Sequence, residues 1–178
     1  MADDPVSIRT NNPGAMWKGP VARQFGASGS QSLPGGNNAA VFDDPVNGAA
    51  AHFALLGKNY TGMPLSGAIS KWSGGNSSPA YTGFIAKQTG LTPDTVLTPD
   101  LLAGPQGLAL AKAQAHWEAG KAYPLSDEQW QAAQAKAFGN TASGARALSP
   151  LAAPAAAAPV GLTAGAAGSG RMAPDRAS

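Results

Sequence analysis

Asp43-Asp44-Pro45-Val46-Asn47-Gly48-Ala49-Ala50-Ala51-His52-Phe53-Ala54-Leu55-Leu56-Gly57 is the stretch on which the fold class turns. Asp44 suits a helix N-cap, because its carboxylate can accept from the free N–H groups of a first turn. Pro45 suits the first helical position, where its missing N–H is not needed. Val46, Ala49, Ala50, Phe53 and Leu56 then recur at helical spacing. The spacing predicts a helix that opens at Asp44 and buries one apolar face.

Similar punctuation repeats downstream. Leu65, Ile69 and Trp72 predict a second, short helix. Ser78-Pro79 opens a third, with Phe84 and Ile85 inside and Gly90 as its stop. Thr98-Pro99 opens a short fourth. Pro105 opens a fifth that runs through Leu108 and several alanines to Trp117, Glu118 and a Gly120 stop. Ser126 with Gln129 three residues later is a capping box for a sixth, which carries Trp130 and ends near Phe138. Upstream, residues 1–40 are rich in Gly, Asn, Pro and Ser and show no long period, which predicts loops and a short hairpin. No internal repeat is visible. The fold class is therefore mainly α: a small helical domain with an irregular or short-hairpin N-terminal region.

Phe138 is the last aromatic residue. Of the 40 residues from 139 to 178, 28 are Ala, Gly, Pro or Ser, and such a segment has too little apolar area to offset its ordering entropy. The organisation is read as a domain over 1–138 and an Ala/Gly/Pro-rich tail over 139–178. Deleting 139–178 is expected to leave the thermal midpoint nearly unchanged. A drop of more than about 5 °C in a thermal melt, roughly 1 kcal/mol for a domain of this size, would show that the tail is packed.

The charge balance changes meaning at that boundary. The chain has 12 Lys and Arg against 10 Asp and Glu. Residues 1–138 hold nine of each sign, so the surplus comes from Arg146, Arg171 and Arg176 against Asp175. A neutral domain without a basic stripe lacks the electrostatic footprint of a nucleic-acid binder. With no Cys there is no disulfide framework, thiolate zinc site or cysteine nucleophile. The apolar runs are too short to span a bilayer, and MADDPVSIRT has no apolar core of a conventional secretory signal. No membrane insertion is expected.

Glutamate is scarce: only Glu118 and Glu128 occur. Glu128 falls in the first turn of a capped helix, where the dipole favours a carboxylate, and needs no other explanation. Glu118 falls near a helix C-terminus, the unfavourable end. Apolar neighbours there would favour the protonated form, which is what a general acid needs. A solvated surface glutamate is the plainer reading of the same position. His116 and Glu118 form an H-x-E pattern, but zinc deaminases need cysteines as well. Two histidines alone do not make a zinc site, so no metal and no cofactor are implied. His52 reads as structural or as surface. Asp43 and Asp44 could hold a metal or act as a base, although a turn and a cap account for both.

The most informative element is Ile8-Arg9-Thr10-Asn11-Asn12-Pro13-Gly14-Ala15, with Trp17 and Gly19 after it. Phe42-Asp43-Asp44-Pro45 with Gly48 follows, then Trp72, Asn76, Tyr81, Pro93-Asp94 and Glu118-Ala119-Gly120. This order resembles a family of phage virion and prophage proteins with R-x-N-N-P-G-N-I/L, W-x-G, F-x-D-P-x-x-G, W…E-N-x-T-x-x-Y, G-V-D-P-D-T and H-E-x-G-x-x-P-Y elements. The resemblance spans about residues 8–125. The chain departs from the pattern at Ala15, where the family has Asn, and at Gly75, where it has Glu. Trp117 stands where the family often has His.

That family looks related to lysozyme-like peptidoglycan hydrolases of the lytic transglycosylase and glucosaminidase type, as if circularly permuted. The resemblance implies cleavage of the β-1,4 bond between N-acetylmuramic acid and N-acetylglucosamine, with Glu118 as the single acid/base. It implies substrate binding by Asn11, Asn12, Trp17, Asn76 and Tyr81, with Trp72 as another ring for stacking. Asp43 or Asp44 would be the second acid/base if water is the nucleophile. The partner implied is a peptidoglycan glycan strand, with a virion, secretion-system or immunity protein as further partners. Action would be in the periplasm or cell wall, after delivery by a virion, by lysis or by a secretion machine. A glycan-binding component that does not cut, and a secreted antibacterial effector, are the two alternatives.

Overall fold

Helices begin where the capping residues stand. The computed structural model describes residues 3–75 and 78–139. Its elements run α1 (Val6–Arg9), α2 (Pro20–Gln24), β1 (Ala27–Ser32), β2 (Asn38–Phe42), α3 (Pro45–Asn59), α4 (Leu65–Ser73), α5 (Ser78–Thr89), α6 (Pro99–Ala103), α7 (Pro105–Ala119) and α8 (Asp127–Phe138). Asp44 caps α3, its carboxylate accepting from the Val46 N–H at 2.8 Å. Thr98 caps α6 through the Leu101 N–H at 3.1 Å. Ser126 and Gln129 bond each other's backbone at 2.9 and 3.1 Å, which completes the capping box of α8. The protein is mainly helical, and the short hairpin of the N-terminal region is β1 and β2, paired antiparallel.

Helices α1 and α2 escape the sequence reading. At four and five residues neither is long enough to show a period, and neither has a side-chain cap. Asn76 and the tail from residue 140 onward lie outside the described residues.

The central helix is α3, which packs against α8, α2, β2, α6 and α7. Phe53 meets Trp130 and Phe138 edge-on at 6.3 and 6.1 Å, a geometry aromatic quadrupoles favour. Trp72 is fully buried between His52 and Tyr60, with ring centroids 5.0 and 5.3 Å away. Among the described residues no helix is long and apolar enough to cross a membrane.

Two of the motifs singled out in the sequence interlock. Gly48, the glycine of the F-x-D-P-x-x-G element, lies against the Asn11 carbonyl so closely that any side chain there would overlap it. Gly14 lies over His52 and Trp72, where a Cβ would stand 2.9 Å from the His52 ring and 3.0 Å from the Trp72 ring. The Asn-Asn-Pro-Gly turn is thereby clamped onto α3 and α4 by two positions that admit no side chain.

Ala15 carries backbone strain. Its φ is 50°, the left-handed region, which Asn tolerates and Ala does not favour. Ala15→Gly should relieve about 1–2 kcal/mol of strain while losing about 0.8 kcal/mol of methyl burial and raising the entropy of the unfolded chain. The net change in a denaturant melt is expected to be near zero. Ala50→Gly, in the buried middle of α3, should instead cost about 2 kcal/mol. Equal losses at the two positions would contradict the strain at Ala15.

Candidate active site

Glu118 lies in the last turn of α7, two residues before Gly120, whose φ of 72° closes the helix in a left-handed cap. The Tyr81 hydroxyl, from α5, donates to Glu118 Oε1 at 2.8 Å. Tyr81 is fully buried and Glu118 is half-buried. The bond bridges two helices that pack against each other, so the carboxyl is fixed by tertiary structure and not by its own helix alone. A hydroxyl can donate to a carboxyl oxygen in either protonation state, so the bond fixes the orientation of the group.

Aromatic rings wall this pair. Trp117 stacks on Tyr81 with centroids 4.7 Å apart and planes inclined 20°. Phe84 lies 5.5 Å from Trp117 and 5.2 Å from His116. Trp117, Phe84 and His116 are each partly exposed. Sequence reasoning missed Phe84 and Trp117 as members of the site. The available signal was their spacing: Tyr81 and Phe84 stand three apart on α5 and present one face to α7.

The chain end of α7 meets the N-terminal region. The Tyr123 hydroxyl donates to the Ser7 carbonyl at 2.9 Å, and burial pushes this phenol above its usual range. Lys121 and Asp4 are 3.1 Å apart at the surface. One turn before Glu118, Gln114 Oε1 lies 3.0 Å from His52 Nε2 in the core. His52 is completely buried, and desolvation lowers its pKa to about 4, against a smaller opposing effect of the Gln114 bond. Of the two readings of His52, structural and surface, the structure takes the first.

Several residues expected at the substrate are placed elsewhere. Asn12 is fully buried. Its Nδ2 donates to the Met16 and Ala40 carbonyls at 2.8 and 2.9 Å, and its Oδ1 accepts from the Met16 N–H at 3.0 Å. Asn11 donates to the Phe42 carbonyl at 2.9 Å and adopts a φ of 53°. This pair joins the turn to the hairpin, and Asn12, with both N–H donors used and its side chain buried, is out of reach of a glycan. Trp17 is only 5 % exposed and pairs with Ala39 along β2, and Trp72 is in the core, so neither ring offers a face to sugar. Asp44 is the cap of α3, and Asp43 accepts from the Ser28 hydroxyl at 2.8 Å. Glu118 and Tyr81 are the two expected site residues brought together. Among the described residues no three His, Asp or Glu side chains gather as a metal site would require.

No protein-family model matches the chain, and no curated protein matches it at a significant level.

Proposed function

We propose that the protein cleaves the glycan strand of peptidoglycan at the bond between N-acetylmuramic acid and N-acetylglucosamine, with Glu118 as its single acid/base. The observation that carries this reading is the Tyr81–Glu118 hydrogen bond at a capped helix end, beside partly exposed rings. A general acid needs a carboxyl held in one orientation and partly withdrawn from water, and Glu118 meets both conditions. Its proton passes to the glycosidic oxygen as the C1–O bond breaks, leaving an oxocarbenium-like centre. The resulting carboxylate then takes the proton of the muramyl 6-hydroxyl as that oxygen attacks C1. The product is a 1,6-anhydro sugar.

One further observation favours the single-carboxylate route, and two others support the lysozyme-like reading. Asp43 and Asp44 are engaged by a turn and a cap. Trp117 and Phe84 adjoin Glu118 and supply rings for sugar stacking in place of Trp17 and Trp72. The Tyr123–Ser7 bond brings the N-terminal element directly after the Glu118 helix in space, as a circular permutation of a lysozyme-like domain requires. The test is digestion of purified peptidoglycan with mass analysis of the soluble fragments. Anhydro-muropeptides are expected from the native chain. Reducing-end muropeptides would replace the transglycosylase route by hydrolysis. Binding to peptidoglycan without any soluble product would replace the enzyme by an inert glycan-binding component.

A further inference from the structure

A groove of about 850 Å³ opens between α2, α3 and the end of α8, and no residue of α5 or α7 lines it. It is therefore separate from the Glu118 site. Val21, Phe25, Ala54, Pro99 and Phe138 give it an apolar wall. The volume is that of a small-molecule pocket. Among the described residues its charged lining is Lys58 and Lys136, with no carboxylate.

Each lysine has an ordinary reason to stand where it does. Both occupy the last turn of a helix, where a cation offsets the dipole. That does not explain why two helix ends bring their cations to one apolar hollow in a domain with no net charge. Lys136 is held there by Asn47, donating to its Oδ1 at 2.6 Å, and neither lysine forms an ion pair among the described residues. The hollow is complementary to a molecule with an apolar body and an anionic head. The chain's own sequence beyond Gly139 complements this charge poorly, since it holds three Arg against the single carboxylate of Asp175.

We propose that this groove binds a single-chain fatty carboxylate, with its acyl chain along Phe25, Ala54 and Phe138 and its head between Lys58 and Lys136. The head group sets the selectivity and the wall supplies the affinity.

The experiment is calorimetric and NMR titration of the full chain with decanoate, with decyl maltoside as a neutral probe and decyltrimethylammonium as a cationic one. Decanoate is expected to bind below about 1 mM and roughly tenfold or more tighter than either other probe. Its amide shifts should centre on Val21, Phe25 and Phe138. The double variant Lys58→Gln, Lys136→Gln should erase the preference while the chain stays folded by circular dichroism. Ala54→Leu should weaken all binding by filling the wall. If that variant fails to fold, the lysine pair decides alone. Equal binding of the three probes, shifts centred away from the groove, or no binding of decanoate would each overturn the proposal.

Discussion

Glu118→Gln is expected to lower the rate of peptidoglycan cleavage by roughly 10²–10⁴, the range a positioned general acid contributes. Glutamine has nearly the same shape. Its amide oxygen can still accept from the Tyr81 hydroxyl, so the α5–α7 contact survives. What it lacks is a proton to give to the leaving oxygen and a carboxylate to take one back. Thermal stability should therefore stay within about 1 kcal/mol of the native chain while soluble fragments disappear. Tyr81→Phe keeps the ring stacked against Trp117 but removes the hydroxyl. It should cost roughly tenfold, in keeping with loss of one positioning hydrogen bond. The pair of variants separates chemistry from positioning. Cleavage that continues undiminished in Glu118→Gln would sink the assignment of this carboxyl. A loss in Tyr81→Phe that exceeds the loss in Glu118→Gln would make the tyrosine, and not the glutamate, the reacting group.

The helices were legible because their signals are local. A capping oxygen, a proline at the first position and a glycine past the end act within one turn, so Asp44, Ser126 and Gly120 can be read without knowing the fold. The site was legible only in part. Glu118 stood out because the chain holds so few glutamates. Its partnership with Tyr81 was not visible, since the two stand 37 residues apart and meet through packing. Helix α7 is rich in alanine around its circumference, so its sequence does not say which face meets α5.

The asparagines illustrate the opposite limit. An amide that can bind an acetamido group can equally bind a backbone carbonyl, and sequence carries no information on which it does. Burial decides. Asn12, sealed beneath the hairpin, spends its donors on Met16 and Ala40. Trp17 was misjudged for the same reason: an indole ring suits a sugar face and a core equally well. The glycines turned out to be the more faithful guides. Gly14 and Gly48 mark where the N-terminal turn touches α3, and that contact holds the two segments against each other.

Acid should destabilise the fold through His52, before most carboxylates are protonated. In the folded chain burial holds this ring's pKa at about 4, against 6.5 in the unfolded chain. With Gln114 Oε1 as acceptor, Nε2 carries the proton of the neutral ring. Charging the ring would add a second N–H at Nδ1, which has no hydrogen-bond partner among the described residues and lies beneath Gly14. The ring's neighbours are Phe53, Trp72, Gln114 and Gly14, none of which is acidic. The unfolded chain thus binds a proton that the folded chain refuses. The full contribution is present above pH 6.5, declines as pH falls from there to about 4, and changes no further below that. At 1.36 kcal/mol per unit the loss is about 3 kcal/mol, a large part of the 5–15 kcal/mol typical of a domain. The thermal midpoint should fall by roughly 15 °C between pH 7 and pH 4 from this group alone. Replacing His52 by Gln, which does not titrate, should flatten the curve over that interval even if it lowers stability throughout. A His52 ring that titrates near 6.5 by NMR, or an unchanged pH slope in His52→Gln, would show that the buried imidazole does not control acid stability.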